Sequence, residues 1–344
     1  RARLAADAAA AGVMPWLAAG GGDGGGDDAA RLEVLAGDVA EPRLGLTDAE
    51  WAHVAASCGT IIAAAARVDM LAPYASLRTA NVGGALTAAL LAVAAGARLL
   101  FVSSVGALAG GVAAPGWRGD GWAPPDTAVL ATKSGYGASK TVAEALLAAA
   151  AADPAIALDV TFVRPGAICA STAAAGSGYA NRHDATVLMA AACVAARVSP
   201  HPATLPLRWV PVDWVARSTL ALARDPAASR GAYNLAGTRP PLADVLAAAA
   251  EATGTELTAL PPAAWRAAMQ ERLPPTHPAT PLLPALLASN VGADLDAAAA
   301  GPSTDGAVAA LGALGVPWFT PPSPPTLLRQ MAWLAAAHPA LFTP

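Results

Sequence analysis

Charge is scarce in this sequence, and lysine is almost missing from it. Charged residues occupy 13% of the 344 positions, the formal net charge is −4, and Lys133 and Lys140 are its two lysines. A protein that binds a nucleic-acid backbone needs clustered basic residues to neutralise the phosphates. The composition therefore predicts no nucleic-acid partner.

Cysteines and long apolar runs are also few. Cys58, Cys169 and Cys193 are odd in number and lie far apart, so they form neither a disulfide framework nor a closely spaced metal-binding pair. The longest apolar stretch, 85–97, has about 13 residues, fewer than the roughly 20 that a membrane-spanning helix needs. We expect no metal site, no membrane span and a reducing, cytoplasmic compartment.

The abundant residues indicate a large buried core. Hydrophobic residues make up 55% of the chain and alanine alone about 28%, which excludes a disordered chain because such chains are poor in hydrophobic residues. Short apolar stretches alternate with longer segments of helical periodicity, a pattern typical of a parallel sheet with helices on both faces. The predicted strands are 31–36, 60–63, 98–103, 158–163, 208–212 and 232–235.

Tyr136 and Lys140 are the clearest candidates for catalysis. They lie four residues apart on a predicted helix, and therefore on one face of it, about one turn from each other. A lysine cation at that spacing is expected to lower the pKa of the phenol and make it a general acid near neutral pH. With four tyrosines and two lysines in the chain, a chance pair at this spacing is expected only about 2% of the time.

Two serines stand where a substrate oxygen would need them. Ser103 and Ser104 lie at the end of the predicted strand 98–103, about 30 residues before Tyr136, and parallel sheets bind ligands at the carboxyl ends of their strands. A hydroxyl there can hydrogen-bond the oxygen that the tyrosine protonates. The glycine-rich run 20–28 is a weaker candidate, because a phosphate-binding loop must follow a strand and none is predicted before it.

Motifs along roughly 32–235, about two thirds of the chain, carry a family resemblance. They include Gly-Asp-x3-Pro-x-Leu-Gly-Leu at 37–46, the Tyr136 to Lys140 motif and Pro-Val-Asp-Trp-Val at 211–215. The sequence resembles the thioester reductase domains of polyketide synthases, nonribosomal peptide synthetases and carboxylic acid reductases, within the extended short-chain dehydrogenase/reductase superfamily. Other shared motifs are Asn81-Val82, Val102-Ser103-Ser104, Arg164-Pro165-Gly166 and Asn181-x-x-Asp184.

The resemblance implies a doubly wound, Rossmann-like α/β fold with a smaller, helix-rich domain. The NADP-binding domain would comprise 1–166 and 206–235, and the domain facing the substrate and carrier 167–205 and 236–344. The family's glycine-rich phosphate-binding loop has no counterpart before Asp38, so we expect the chain to begin after the first βα unit. Arg1 would then pair with the 2′-phosphate of NADPH.

The implied reaction is reduction by NADPH of an acyl thioester on the phosphopantetheine arm of an acyl or peptidyl carrier protein. A hemithioacetal would form and collapse to an aldehyde, which some members reduce further to an alcohol. By the same resemblance, Tyr136 donates a proton to the developing oxyanion and Ser104 orients the carbonyl. Lys140 lowers the pKa of the phenol and holds the nicotinamide ribose.

The resemblance also implies the remaining cofactor contacts. Asn81 could equally cap a helix, as could Asp184, and Asp213 is expected to cap the helix that follows it. The implied contacts are Asp38 and Val39 beside the adenine, Ala63 and Ala65 along the cofactor backbone, Asn81 and Ser103, and Pro165, Gly166 and Ile168 around the nicotinamide.

Two other functions stay open. A reductase fold without cofactor, used as a docking or structural module, would also explain the missing glycine loop, because without its amides dinucleotide affinity should fall by several kcal/mol. Tight binding of NADPH would exclude that module. An extended short-chain reductase acting on a free small carbonyl would keep the same catalytic residues. Activity on free ketones but not on carrier-bound thioesters would favour this last function.

Overall fold

A parallel sheet forms the centre of the computed structural model, which describes residues 33–69, 71–108, 114–172, 178–203, 207, 209–237, 241–287 and 302–343. The strands of this sheet are β1 (Thr60–Ala63), β2 (Arg98–Val102), β3 (Arg118–Gly119), β4 (Val160–Pro165) and β8 (Gly231–Leu235). They pair in the order β1-β2-β4-β8-β3, and each pairing is parallel. The predicted α/β class is therefore confirmed.

Helices cover the sheet and form a separate layer beside it. Two short parallel pairs lie outside the main sheet: β5 (Ala167–Cys169) with β7 (Trp209–Pro211), and β6 (Val198–Pro200) with β9 (Thr258–Leu260). The helices are α1 (Asp48–Ser57), α2 (Tyr74–Ala95), α3 (Thr127–Ala131), α4 (Gly135–Ala152), α5 (Ala185–Ala196), α6 (Val212–Arg224), α7 (Leu242–Thr253), α8 (Pro262–Arg272), α9 (Leu283–Leu287), α10 (Asp305–Ala313) and α11 (Pro324–Ala337).

Helix α1 begins where its capping signal predicts. The Thr47 hydroxyl accepts a hydrogen bond from the Glu50 backbone N–H, and the Glu50 carboxylate accepts one from the Thr47 backbone N–H. This reciprocal pair satisfies two donors that a helix start otherwise leaves without partners. The Thr47 and Glu50 pair in the sequence predicts a helix start here, and α1 confirms it.

Helix α2 joins the segments 73–80 and 81–95, each of which the helical periodicity of the sequence predicts as a helix. It runs for 22 residues, and a π-helical turn at Thr79–Gly83 connects its two parts. Gly96, with φ +60°, ends it in the left-handed conformation that glycine adopts without strain. By length and composition, α2 is the one helix of the described chain that could cross a membrane, yet half of its most apolar window is buried within the protein.

Strand boundaries differ from the prediction in three places. Residues 33–36, the described part of the predicted strand 31–36, are irregular; a strand needs a neighbour for its backbone groups, and no described strand pairs with them. Strand β4 starts two residues later than predicted and continues through Pro165. Strand β7 pairs with β5 and not with the main sheet.

The buried apolar residues form three clusters. One lies between the sheet and helices α2 and α4, and a second lies between the sheet and helices α6 and α10. The third joins α5, α7, α8 and α11. Apart from Leu207 and Trp209, this third cluster falls within the predicted substrate domain, whose boundaries stay a prediction.

A buried ion pair connects helix α4 to strand β4. The Arg164 Nε and Nη2 donate to Glu144 Oε1 and Oε2 at 2.9 and 2.7 Å, and the two side chains are 2% and 4% exposed. The remaining Arg164 nitrogen, Nη1, donates to the Gly121 carbonyl at 3.1 Å. Bidentate geometry and added hydrogen bonds are what a buried pair needs to offset the loss of hydration.

Glu144→Gln is expected to lower the free energy of unfolding by roughly 3–5 kcal/mol, because it leaves the Arg164 guanidinium buried without a counter-charge. Urea denaturation followed by circular dichroism measures the loss. Asp48→Asn is the matched control: it breaks the exposed Arg43–Asp48 pair, and water screens such pairs, so its cost should be far smaller. Equal losses for the two variants would contradict the prediction.

Candidate active site

A cavity of about 670 Å³ lies at the carboxyl ends of the central strands. Its walls come from the loops after β1, β2 and β4, from the first turns of α4, and from residues 179–186. Cavities at this edge of a parallel sheet are where such folds bind ligands. The predicted site residues in the wall are Ser103, Ser104, Tyr136, Lys140, Pro165, Gly166 and Ile168.

Tyr136 is placed by the start of helix α4. The Ser134 hydroxyl caps the helix by accepting from the Gly137 N–H at 3.2 Å. A Cβ on Gly135 would lie 2.2 Å from the Ala72 carbonyl oxygen, so only glycine permits this close approach. The first turn is therefore held between its own cap and the segment before α2, and Tyr136 projects from it into the cavity wall.

Lys140 is buried one turn further along α4, with 2% of its surface exposed. Its Nζ donates to the Val102 carbonyl at 2.8 Å and lies 4.7 Å from the centre of the Phe101 ring. Burial lowers the pKa of Lys140 to about 8, although the Glu144 carboxylate acts in the opposite direction. The lysine is thus tied to the end of β2 and loses its proton more readily than an exposed lysine does.

The predicted lowering of the Tyr136 pKa is wrong for the structure without a ligand. Burial raises the pKa of the Tyr136 phenol, because the ionised form would lose hydration. The neighbouring ammonium of Lys140 is directed to the Val102 carbonyl. The phenol is therefore protonated at neutral pH.

The two serines at the end of β2 differ in their partners. Ser104 Oγ accepts from the Gly106 N–H at 3.1 Å and caps a 3-10 turn at Val105–Ala107, which leaves its own proton for a ligand. Ser103 is 3% exposed, and its Oγ has no hydrogen-bond partner among the described residues. A buried hydroxyl without a partner costs about 1–3 kcal/mol, and a ligand in the cavity can supply that partner.

Lys133 holds the serine loop and was missed as a functional residue. Its Nζ donates to the carbonyls of Gly106 and Leu108, both at 2.7 Å, and it lines the cavity. The sequence could have indicated this residue, because it is one of two lysines and lies just before the capped start of α4. The contacts indicate that Lys133 positions the loop carrying Ser104.

Asn81 lies beneath the cavity and not in its wall. Its side chain accepts from the Arg67 N–H at 2.8 Å and donates to the Arg67 carbonyl at 3.0 Å and to Ser139 Oγ at 2.9 Å. With 2% of its surface exposed and its amide fully engaged, Asn81 neither contacts a ligand in the cavity nor caps a helix. It connects the loop after β1 to helix α4.

The alanines that face the cavity are one position later than predicted. Ala64 and Ala66 line it, whereas Ala63 packs against the buried cluster beneath α2 and α4. Ala65 is exposed and outside the wall. Ala64 and Ala66 follow the last residue of β1 and lie in its loop, where the alternation of strand side chains no longer determines which of them faces the cavity.

The residues predicted around the adenine lie apart from this wall. Asp38 Oδ1 accepts from the Ala40 N–H at 2.8 Å and closes a turn before α1. The Val39 carbonyl oxygen lies 2.8 Å from the position that a Cβ on Gly84 would take, so this turn packs closely on α2. Neither residue lines the cavity. Arg1 lies outside the described residues.

The two acidic residues considered as caps have different roles. Asp184 caps α5, since its carboxylate accepts from the Thr186 and Val187 N–H groups at 2.9 and 3.1 Å. Asp213 does not cap the helix that follows β7, because α6 already begins at the preceding residue. The Asp213 carboxylate instead accepts from the Thr172 N–H at 3.1 Å.

The wall fits a nicotinamide dinucleotide. Small residues such as Ala64, Ala66 and Gly166 leave room for a flat ligand, and Tyr136, Ser103 and Ser104 are polar residues of the same wall. Such a combination of small, apolar wall and few polar groups is typical of cofactor sites. Among the described residues, no group of three or more His, Cys, Asp or Glu could hold a metal ion.

The parallel sheet with serine, tyrosine and lysine at its carboxyl edge defines a Rossmann-like domain of the short-chain reductase type. The profile of the male sterility protein family of NAD-binding domains matches residues 3–219. The chain belongs to this family, and the resemblance proposed from its motifs is confirmed.

Solved structures and curated proteins agree with this assignment. The terminal R domain from the myxalamid PKS-NRPS biosynthetic pathway is similar, with a TM-score of 0.69 and 26% identity over 90% of this chain and 76% of that one. The R domain of a nonribosomal peptide synthetase from Mycobacterium tuberculosis has a TM-score of 0.69 and 25% identity over 90% and 77%. Isonitrile lipopeptide synthase of Streptomyces coeruleorubidus is 33% identical over 243 residues, 70% of this chain. The chain spans 16% of the length of that protein.

The proton on Lys140 is expected to titrate with a midpoint near pH 8, well below the roughly 10.4 of an exposed lysine. Because the folded-state pKa lies below the unfolded one, this group should make the fold more stable as pH rises from about 8 to 10. Lysine labelled with carbon-13 at Cε gives two NMR signals in this chain, and Lys133→Arg assigns them. A Lys140 midpoint above about 10 would refute the buried environment.

Proposed function

We propose that this domain releases an acyl group, bound as a thioester to a carrier protein, by reducing it to an aldehyde with NADPH. The observation that carries the proposal is the meeting of Ser104, Tyr136 and Lys140 in one cavity wall at the ends of β2 and α4. The similarity to R domains of synthetases supports the choice of substrate class. The bound cofactor would supply a hydride to the carbonyl carbon of the thioester.

Each of the three residues has a separate task in this proposal. Tyr136, which burial keeps protonated, donates its proton to the carbonyl oxygen as negative charge develops there. Ser104 donates a hydrogen bond to the same oxygen and fixes its position. Lys140 holds the ribose. While it is protonated, its positive charge also favours the return of a proton to the Tyr136 phenol. The carbon–sulfur bond of the reduced thioester then breaks, and the arm leaves as a thiol.

The cofactor contacts are assigned with two changes from the sequence prediction, at the alanines after β1 and at Asn81. Ser103, Pro165, Gly166 and Ile168 would contact the nicotinamide half, and Ala64 and Ala66 take the place of Ala63 and Ala65. Asn81 acts through the wall that it supports. The adenine contacts of Asp38 and Val39, the pairing of Arg1 with a 2′-phosphate, and the preference for NADPH remain proposals from the family resemblance.

The partner and the compartment are part of the same proposal. A carrier protein of a synthetase is the proposed partner, because the similar proteins include R domains of such assemblies. The three cysteines are free thiols, which favours a reducing compartment such as the cytoplasm. The two-domain division, with the NADP site in the sheet domain and the carrier facing the helical one, is proposed on the same basis.

Tyr136→Phe is expected to lower kcat for thioester reduction by roughly 10²–10⁴, the usual contribution of a positioned general acid. Loss of NADPH absorbance with an acyl-phosphopantetheine carrier or acyl-CoA measures the rate, and quenching of fluorescence measures cofactor binding, which should persist. Tyr74→Phe is the control, because Tyr74 lies at the start of α2 and outside the cavity wall.

Three results would overturn the proposed function. Equal rates for Tyr136→Phe and Tyr74→Phe would show that Tyr136 is not the general acid. Reduction of free ketones without reduction of thioesters would assign the domain to small carbonyls. Failure of the chain to bind NADPH would favour a docking module.

A further inference from the structure

The cavity wall opposite the sheet is a loop seated on the last long helix. Gly178 has φ +82°, and a Cβ there would lie 2.4 Å from the Arg329 carbonyl oxygen of α11, so the backbone of the loop packs directly on that helix. The Tyr179 ring lies 4.8 Å from the Trp333 ring. These contacts give the following residues a fixed support.

Three basic side chains from two elements meet beside this support. Arg182 and His183 follow in the same exposed loop, and Arg182 Nε donates to His183 Nε2 at 3.0 Å. His338, just after α11, places its ring 5.7 Å from that of Trp333. The pKa of His338 is lowered, first by burial and then by the charges of Arg182 and His183. Trp333 contacts both the His338 ring and the ring of Tyr179, three residues before Arg182, so His338 lies on the helix surface that supports this loop.

No carboxylate of the described chain forms an ion pair with this cluster. Asp184 is the acidic residue next in sequence, and its carboxylate is engaged by the start of α5. Asp213, on α6, accepts from Thr172 and from Arg217. The positive charge of the cluster is thus not compensated by these neighbours and is available to a ligand.

The cluster adjoins the cavity that contains the catalytic tyrosine. His183 and Tyr179 are part of the cavity wall, on the side away from the loops that follow β1 and β2. The proposed cofactor lies against those loops, so a second anionic ligand would approach from the side of residues 179–186. In the proposed function, that ligand is the acyl donor.

We propose that Arg182, His183 and His338 bind the phosphodiester of the phosphopantetheine arm and so guide the thioester toward Tyr136. The inference rests on the proposed function, since it names the part of the substrate that this surface recognises. The Arg182 guanidinium donates charge-assisted hydrogen bonds to phosphate oxygens, and its fork matches the anion; the free N–H groups of the two imidazole rings can add uncharged hydrogen bonds. The phosphate of a dinucleotide offers the same chemistry and is distinguished by the experiment.

The direct experiment compares 4′-phosphopantetheine with pantetheine, which lacks the phosphate, as ligands of the full chain. Calorimetry or tryptophan fluorescence should show that phosphopantetheine binds roughly tenfold more tightly, the worth of one charge-assisted hydrogen bond. Arg182→Ala should abolish this difference and leave pantetheine binding unchanged. Arg224→Ala is the matched control, because Arg224 is exposed at the end of α6.

A kinetic experiment separates the inference from the proposed function. With a phosphopantetheine thioester, Arg182→Ala should raise KM roughly tenfold at constant kcat, and with a pantetheine thioester it should change neither. Equal binding of phosphopantetheine and pantetheine by the unaltered chain would overturn the inference while thioester reduction stands. Weaker NADPH binding by Arg182→Ala would assign the site to the dinucleotide. Failure to reduce either thioester would count against the proposed function.

Discussion

The buried ion pair between Glu144 and Arg164 fixes helix α4 on strand β4, and the position of Tyr136 in the cavity wall depends on that contact. A charge removed from water is tolerated only when its partner stays in place, so the pair permits one placement of the helix. Lys140 adds a second buried polar contact, from α4 to the end of β2. The ion pair and the Lys140 hydrogen bond together anchor α4 to two neighbouring strands. They thereby fix the position of Tyr136, in the first turn of α4, relative to the sheet.

Burial has opposite effects on the two titratable groups of the site. It raises the pKa of the Tyr136 phenol and lowers that of the Lys140 ammonium, because in each case the charged form loses hydration. Both shifts favour the neutral forms, but a lysine with a pKa near 8 still carries its proton at pH 7, so Lys140 is the cationic member of the pair. A bound anionic cofactor and the developing oxyanion would meet hydrogen-bond donors whose own hydration has already been removed.

Local patterns were sufficient for several elements and for the Tyr136–Lys140 motif, but not for the strand predicted at 31–36. Strand β1 and helix α4 have the predicted bounds because their signals, a short apolar run and a long alanine-rich segment, lie within the elements themselves. The pKa direction of Tyr136 could not be predicted, because it depends on burial by residues from other parts of the chain. For the same reason the proposed role of the loop at Arg182 could not be predicted, since it depends on His338, which is far away in the sequence. Ala64 and Ala66 were missed by one position, because they lie in the loop after β1, where no periodic pattern predicts which side chain faces the cavity.

The hydrogen bonds of Asn81 divide the cavity into parts with different freedom to move. One amide side chain joins the backbone of Arg67, after β1, to Ser139 on α4, so the loop that would contact the cofactor and the helix that bears the proton donor form one rigid unit. The wall at 179–186 has no share in this link and packs on α11 instead. Any widening of the cavity to admit a bulky acyl chain must therefore come from displacement of that second wall, which leaves the distance between the cofactor contacts and the proton donor unchanged.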